Sequence, residues 1–262
     1  MSRKVVIISD LHCGGNTGLT HPDFEHRPSD RSPLRAYYKT RRACWKWFEG
    51  TIRLIGKVDV LVINGDAIDG KNDKTGGLDL ITSDPSEQVN MVCAIVEVVR
   101  PKHVLMTRGT DYHTGKITSF ENMIADRYDN TTIDDSLSVA ISGVVFDVKH
   151  EVGRSDSEQS QHTAVASEAL QNILLAERSL VPKADIIIRS HVHYFKYCGG
   201  ADWVAMTTPA LQWSSSFGRK RKRTGHTDFG FVAFDIVGKG DFTWDVYLLR
   251  SKELAQKPIL LP

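Results

Sequence analysis

Seven positions in this chain place a carboxylate or an imidazole at spacings that suit metal chemistry. They lie in Asp10-Leu11-His12, in Gly65-Asp66-Ala67-Ile68-Asp69-Gly70, at His150, and in Ser190-His191-Val192-His193. In extended backbone, residues two apart point the same way, so Asp10 with His12, and His191 with His193, can address one ion together. Mixed carboxylate and imidazole ligation suits Mn, Fe, Zn, Co or Ni better than Mg or Ca alone. A further stretch, MTRGTDYH at residues 106–113, sets a cation, a glycine, a hydroxyl, a carboxylate and an imidazole side by side. Each motif alone has an ordinary reading as a turn, a cap or a structural histidine. Their shared placement is what carries information.

The apolar patterning says what must position them. Residues 5–8, 58–63 and 103–106 are short, mainly aliphatic runs, which predicts buried strands of a largely parallel sheet. Helices are predicted between and after them. One starts at Pro33 behind a Ser32 cap and runs to about residue 56. One starts at Pro85 behind Asp84, with Glu87 in its first turn, and runs to about residue 100. A third covers about residues 119–128. Asp10 and His12 then follow the first strand, Asp66 and Asp69 the second, and Asp111 and His113 the third. Farther on, residues 137–141 and 144–149 flank Ser142-Gly143 as a hairpin that ends at His150. A helix over about residues 162–180 and a strand over residues 185–189 lead to His191 and His193. Short strands follow around Gly199-Gly200 and Gly238-Lys239-Gly240. Ligands of open α/β sheets bind beyond the carboxyl ends of the strands. Strand ends that each deliver a carboxylate or imidazole can converge on one point, in an α/β fold of two packed sheets with helices outside.

Composition leaves room for this and excludes other classes. A chain of 262 residues with 41% hydrophobic and 25% charged residues can bury a core without staples, as one domain over residues 1–262. A net charge of +1 rules out polyanion binding by overall charge. Cys13, Cys44, Cys93 and Cys198 form no C-x-x-C pair, which fits a reducing, cytoplasmic setting. The apolar run near the start is too short for a signal peptide, and no later run is long enough for a membrane span.

With these motifs in this order, the sequence resembles the calcineurin-like metallophosphoesterase superfamily over residues 10–193. The resemblance implies a four-layer αββα sandwich of two mixed β-sheets flanked by helices. It implies two divalent metal ions, drawn from Mn, Fe, Zn or Ni with manganese foremost. Asp10, His12, Asp66 and His193 would hold the first ion. Asp66 would bridge to the second, which His150 and His191 also hold, and Asp69 would orient His12 or a neighbouring group. It further implies a phosphoesterase in which two ions about 3.5–4 Å apart lower the pKa of a bridging water. The hydroxide so formed attacks phosphorus in line, and a nearby acid protonates the leaving group.

MTRGTDYH departs from the family pattern, Gly-Asn-His followed by an acid. Gly109 matches, Thr110 stands where the metal-binding asparagine belongs, and Asp111 where the histidine belongs. Three alternatives follow at the second metal: Thr110 as a weak ligand, Asp111 as a substitute, or a water. His113, two positions later, is the expected displaced general acid. Arg108 either neutralises charge on the phosphate oxygens or forms a surface salt bridge. A variant of this kind resembles phosphoesterases of phages and bacteria.

The substrate expectation is a phosphodiester, with nucleic acid as a candidate; the rivals are a phosphomonoesterase or protein phosphatase, and a catalytically inactive interaction scaffold of the same fold. Arg219, Lys220, Arg221, Lys222 and Arg223 follow Trp213 and Phe217, so phosphates could meet the cations and bases the rings. A second basic group, Arg35, Lys39, Arg41 and Arg42, accompanies Tyr37 and Tyr38.

Overall fold

The computed structural model describes residues 2–250 apart from 33, 73–75, 78, 115–118, 154–156, 202 and 215–226. Two mixed sheets face each other. The six-stranded sheet comprises β1 (Arg3–Ile8), β2 (Val60–Asn64), β3 (His103–Thr107), β4 (Thr131–Asp134), β10 (Gly230–Gly238) and β11 (Asp241–Leu248), in the order β11-β10-β1-β2-β3-β4. The five-stranded sheet comprises β5 (Ser136–Ile141), β6 (Val144–Lys149), β7 (Ile186–Arg189), β8 (Lys196–Gly199) and β9 (Val204–Thr207), in the order β5-β6-β7-β9-β8. β1 to β4 run parallel, as do β6, β7 and β9.

The period of two along the strands builds the layers. On β1, Val5 and Ile7 face the other sheet, where they meet Phe146, Val148, Ile186 and Ile188, beside Val232 and Phe234 of β10 in their own sheet. Val6 and Ile8 face outward and pack with Leu61, Ile63 and Met106 under the helices α1 (Arg35–Ile55), α2 (Pro85–Val99) and α4 (Phe120–Ala125). The far face of the second sheet is covered by α5 (Glu158–Glu177), through Val165, Ala169, Ile187 and Ala205. Both sides of the central strands are thus apolar, as their unbroken aliphatic runs require. The four layers match the αββα expectation.

Element boundaries shifted where polar side chains decide them. Asp84 caps α2 as expected, its Oδ1 accepting from Ser86 N at 2.9 Å. α5 starts four residues before the expected residue 162, because Ser157 Oγ accepts from Ser160 N at 3.2 Å and caps it earlier. α1 starts at Arg35, not at residue 33, with Ser32 Oγ accepting from Leu34 N. β4 was not anticipated: Thr131-Thr132-Ile133-Asp134 has no apolar run, and only pairing with β3 makes it a strand. The four cysteines are free thiols, and burial pushes Cys44 up to about 12. Among the described residues, no helix is long and apolar enough to cross a membrane.

Candidate metal centre

The parallel strands direct their carboxyl ends to one rim, and the loops leaving them are laced together there. Asp10 N donates to Gly65 O and His12 N to Asp66 O, both at 3.1 Å, so the loops after β1 and β2 run side by side. Ser190 N donates to His150 O at 2.8 Å, which joins the ends of β6 and β7. The two pairs of loops meet where His191 N donates to Asp10 Oδ2 at 3.2 Å.

The side chains form two adjoining clusters. Donor atoms of Asp10, His12 and His193 lie within 4.8 Å of one another, and so do those of Asp66, His150 and His191. Asp66 also meets His12 and His113 in a third such group, which joins the clusters. The structure therefore brings together Asp10, His12, Asp66, His150, His191 and His193.

Whether this set fits metal ions can be read from its unsatisfied atoms. Asp10 Oδ1, His12 Nε2, His150 Nε2 and His191 Nδ1 are buried with no hydrogen-bond partner among the described residues. Buried polar atoms are almost always paired, and four orphans in one place need a common explanation. Contacts of 3.2 Å exist between His150 Nε2 and Asp66 Oδ2 and between His193 Nε2 and Asp10 Oδ1, but they are not aligned as hydrogen bonds. Two ring orientations are set from behind, in the way metal-ligating histidines are usually held. His12 Nδ1 donates to Asp69 Oδ1 at 3.0 Å, and His150 Nδ1 donates to the Asn64 carbonyl at 2.8 Å. Each is left with Nε2 as its free nitrogen. Oxygen and imidazole donors in this ratio fit first-row divalent ions.

Electrostatics agree for the metal-free chain. Burial alone would raise Asp66, but the neighbouring His150 charge holds it well below the usual carboxylate range. Burial likewise opposes ionisation of Asp10, and His193 overrides it. Burial disfavours the charged form of His150, yet Asp66 pushes it up to about 10. For His12, burial is outweighed by the Asp69 bond, and the net shift is upward. The site is thus a concentration of negative charge that protons partly neutralise when metal is absent.

The backbone is unusual at the same residues. Asp10, His12, Asp66, His191 and His193 all have positive φ, of 49°, 45°, 49°, 70° and 60°. Left-handed backbone costs an L-residue about 1–2 kcal/mol, so the surroundings must hold these conformations. The idea of extended backbone aiming Asp10 with His12 and His191 with His193 therefore needs correction. Asp10 and His12 still converge on one cluster, but from tight left-handed loops, whereas His191 and His193 part to different clusters.

The MTRGTDYH segment resolves into separate roles. Gly109 gives close approach: a Cβ there would sit 2.2 Å from Asp66 N and Oδ1. Thr110 donates to Asp66 Oδ1 from its backbone N at 2.7 Å and from its hydroxyl at 3.1 Å. Asp111 opens the single turn α3 (Asp111–Thr114) and is exposed. Tyr112 OH donates to Asn72. His113 packs edge-on to His12 at 4.5 Å and donates from Nδ1 to the Asp69 carbonyl at 2.9 Å. Burial, then the His12 charge, lowers its pKa. Arg108 is engaged by Asp135 at 2.9 Å and Asn122 at 3.3 Å, with Asp134 at 3.7 Å. The salt bridge is what the structure shows for it.

Sequence reading missed Glu121. Buried on α4, its carboxylate accepts from Ala67 N at 3.0 Å and from Gly109 N at 2.8 Å. It clamps the Asp66 loop to the Gly109 loop, and burial pushes it up to about 7 despite those bonds. No spacing rule marks a first-turn glutamate as a loop clamp. Of the basic groups, Arg219 to Arg223 lie outside the described residues. Trp213 packs against Phe229 at 6.0 Å. Arg41 is buried and spent on Glu25 and the Asn16 carbonyl.

Neither a family model nor a curated protein matches the sequence. Solved structures do. An archaeal phosphodiesterase is similar over 93% of this chain and 99% of its own, at 15% identity and a TM-score of 0.47. Vps29 from Entamoeba histolytica, solved with zinc, is similar over 95% of this chain and 94% of its own, at 13% identity and a TM-score of 0.44. A purple acid phosphatase from yellow lupin (Lupinus luteus) seeds is similar over 95% of this chain, at 12% identity and a TM-score of 0.49, and this chain spans 53% of it. What this chain can do is carried by its own side chains.

Proposed function

We propose that the chain is a metal-dependent phosphoesterase that hydrolyses phosphodiesters. The observation that carries this reading is the set of four orphaned donor atoms in two clusters joined by Asp66. Asp10, His12 and His193 would hold one divalent ion, His150 and His191 the other, and Asp66 both. Manganese is the first candidate. Two such ions, when bound, supply Lewis acidity toward phosphate oxygens and make nearby water acidic.

The protein's own groups do the rest. Asp69 fixes the tautomer of His12, and the Asn64 carbonyl fixes that of His150. Thr110 donates two hydrogen bonds to Asp66 and fixes its plane without adding charge. His113 keeps Nδ1 on the Asp69 carbonyl, so Nε2 is the atom that moves a proton to the leaving oxygen. Its lowered pKa makes the protonated form a stronger acid, which suits a poor leaving group. Arg219 to Arg223 are proposed as the contact for a nucleic-acid phosphate backbone.

Metal analysis of purified protein, with hydrolysis of bis-p-nitrophenyl phosphate measured against the monoester, tests the reading. Bound metal with faster diester turnover is expected. Faster monoester turnover would make the chain a phosphomonoesterase, and neither metal nor hydrolysis would end the enzyme reading. Neutralising residues 219–223 should weaken DNA or RNA binding and flatten its salt dependence. Unchanged binding would rule that patch out.

A further inference from the structure

Beneath the clusters, five buried polar side chains form one continuous hydrogen-bonded chain. Thr107 Oγ1 donates to Asn64 Oδ1 at 2.5 Å. Asn64 Nδ2 donates to Ser190 Oγ at 2.6 Å and to the Lys149 carbonyl at 3.1 Å. Ser190 Oγ lies 2.6 Å from Thr208 Oγ1, which lies 2.8 Å from Ser9 Oγ. Ser9 Oγ reaches the Pro209 carbonyl at 3.2 Å.

The proton inventory limits the direction of this chain. An amide nitrogen only donates, a carbonyl only accepts, and each hydroxyl has one proton. Ser190 accepts from Asn64, so its proton goes to Thr208. Thr208 then has two acceptors, Ser9 Oγ at 2.8 Å and the Arg189 carbonyl at 3.4 Å, and Ser9 donates to Pro209. Every side chain in the chain finds partners, which makes the arrangement stiff and specific.

Its members flank the site. Ser9 precedes Asp10, Asn64 stands two before Asp66, Lys149 precedes His150, and Ser190 precedes His191. The chain leaves the six-stranded sheet at Asn64, crosses to the ends of β7 and β9 at Ser190 and Thr208, and returns at Ser9 behind β1. Apolar contact could hold two sheets together, but it would not fix their relative offset so narrowly. The left-handed ligand residues need such fixing.

We propose that Asn64, Ser190 and Thr208 are positioning residues that set the spacing between the Asp10–His12–His193 and Asp66–His150–His191 half-sites, and thereby the coupling of two bound ions. This rests on the two-metal reading above. Mn(II) titration of the intact chain, followed by calorimetry and electron paramagnetic resonance, tests it. Ser190→Ala and Thr208→Val each remove one hydroxyl, and with it two links, with little change of volume, and Ser190→Thr keeps the hydroxyl. The unaltered chain should take two ions and show an exchange-coupled pair. Ser190→Ala and Thr208→Val should lose the pair signal and bind the second ion about 10–100-fold more weakly, while Ser190→Thr restores both. Thermal melts show which variants are folded, and either of the two suffices. Pair signal and second-ion affinity unchanged in a folded variant overturn the proposal and leave the two-metal reading standing. An unaltered chain that binds no Mn(II) removes both.

Discussion

His12 donates from Nδ1 to Asp69 Oδ1 at 3.0 Å, and that bond decides which nitrogen His12 can offer to an ion. Asp69 in turn receives Asn72 Nδ2 at 3.2 Å, and its backbone carbonyl takes His113 Nδ1. One aspartate thus aligns both a ligand and the proposed acid. Asp69→Ala should lower metal affinity about 10–100-fold. Asp69→Asn, which keeps an acceptor oxygen, should lower it less. Competition against a chelator of known affinity checks the order of the three proteins, and equal affinities would remove the orienting role.

Metal binding should tighten as pH rises. In the metal-free chain His150 keeps its proton up to about 10, and an ion can bind only the neutral ring. Asp10 and Asp66 are held below the usual range, so they are already ionised near neutrality and release nothing. Each displaced proton makes affinity rise about tenfold per pH unit. Titrations in buffers of different ionisation enthalpy count the protons. His150→Gln should release about one fewer.

The left-handed ligand backbone predicts an ordering of two variants that are equally poor at binding metal. His193 has φ of 60°. Without metal, His193→Gly should be more stable than His193→Ala by about 1 kcal/mol, because glycine adopts that conformation freely. Urea denaturation of the metal-free proteins measures it.

Gly109→Ala should disable the centre without touching a ligand. The added methyl would meet Asp66 N and Oδ1 at 2.2 Å; the first is backbone, and the second is held by two hydrogen bonds from Thr110. Gly153→Ala is the matched control, since among the described residues nothing lies within 4 Å of its Cβ position. Metal stoichiometry should fall in the first and stay unchanged in the second.

Glu121 gives a stability signature. Its folded pKa of about 7 lies above its ordinary 4.5, so the folded chain retains a proton that the unfolded chain releases between those values. Its contribution is therefore greatest at low pH and declines as pH rises through about 7. Denaturation of metal-free protein should show stability falling over that window, and Glu121→Gln should flatten the slope.

The clustered carboxylates and imidazoles were legible because their spacing repeats what strand ends do. Asp10, Asp66, His150 and His191 each follow an aliphatic run, and runs are easy to see. The sandwich was legible for the same reason, with Val5 and Ile7 on one face and Val6 and Ile8 on the other. What could not be read was everything set by contact across the sheets. Glu121 and Asn64 look like ordinary helix and strand residues until the loops they hold are beside them. β4 has no apolar signature because its neighbour makes it a strand. The left-handed turns at His12 and His193 leave no mark, since neither residue is glycine. Arg108 was balanced between two roles until Asp135 was placed next to it.

β1 lies between β2 and β10, and Val5 pairs with Val60 on one side and Phe234 on the other. The strand that delivers Asp10 therefore closes its second edge only with chain from the far end of the sequence. Contacts so distant along the chain form slowly. As the polypeptide emerges during synthesis, Val6 and Ile8 must wait beside an open hydrogen-bonding edge, exposed to any other strand that passes. The centre is then among the last parts of the molecule to mature, and early capture of metal by the emerging Asp10 loop would seize it before its neighbours exist.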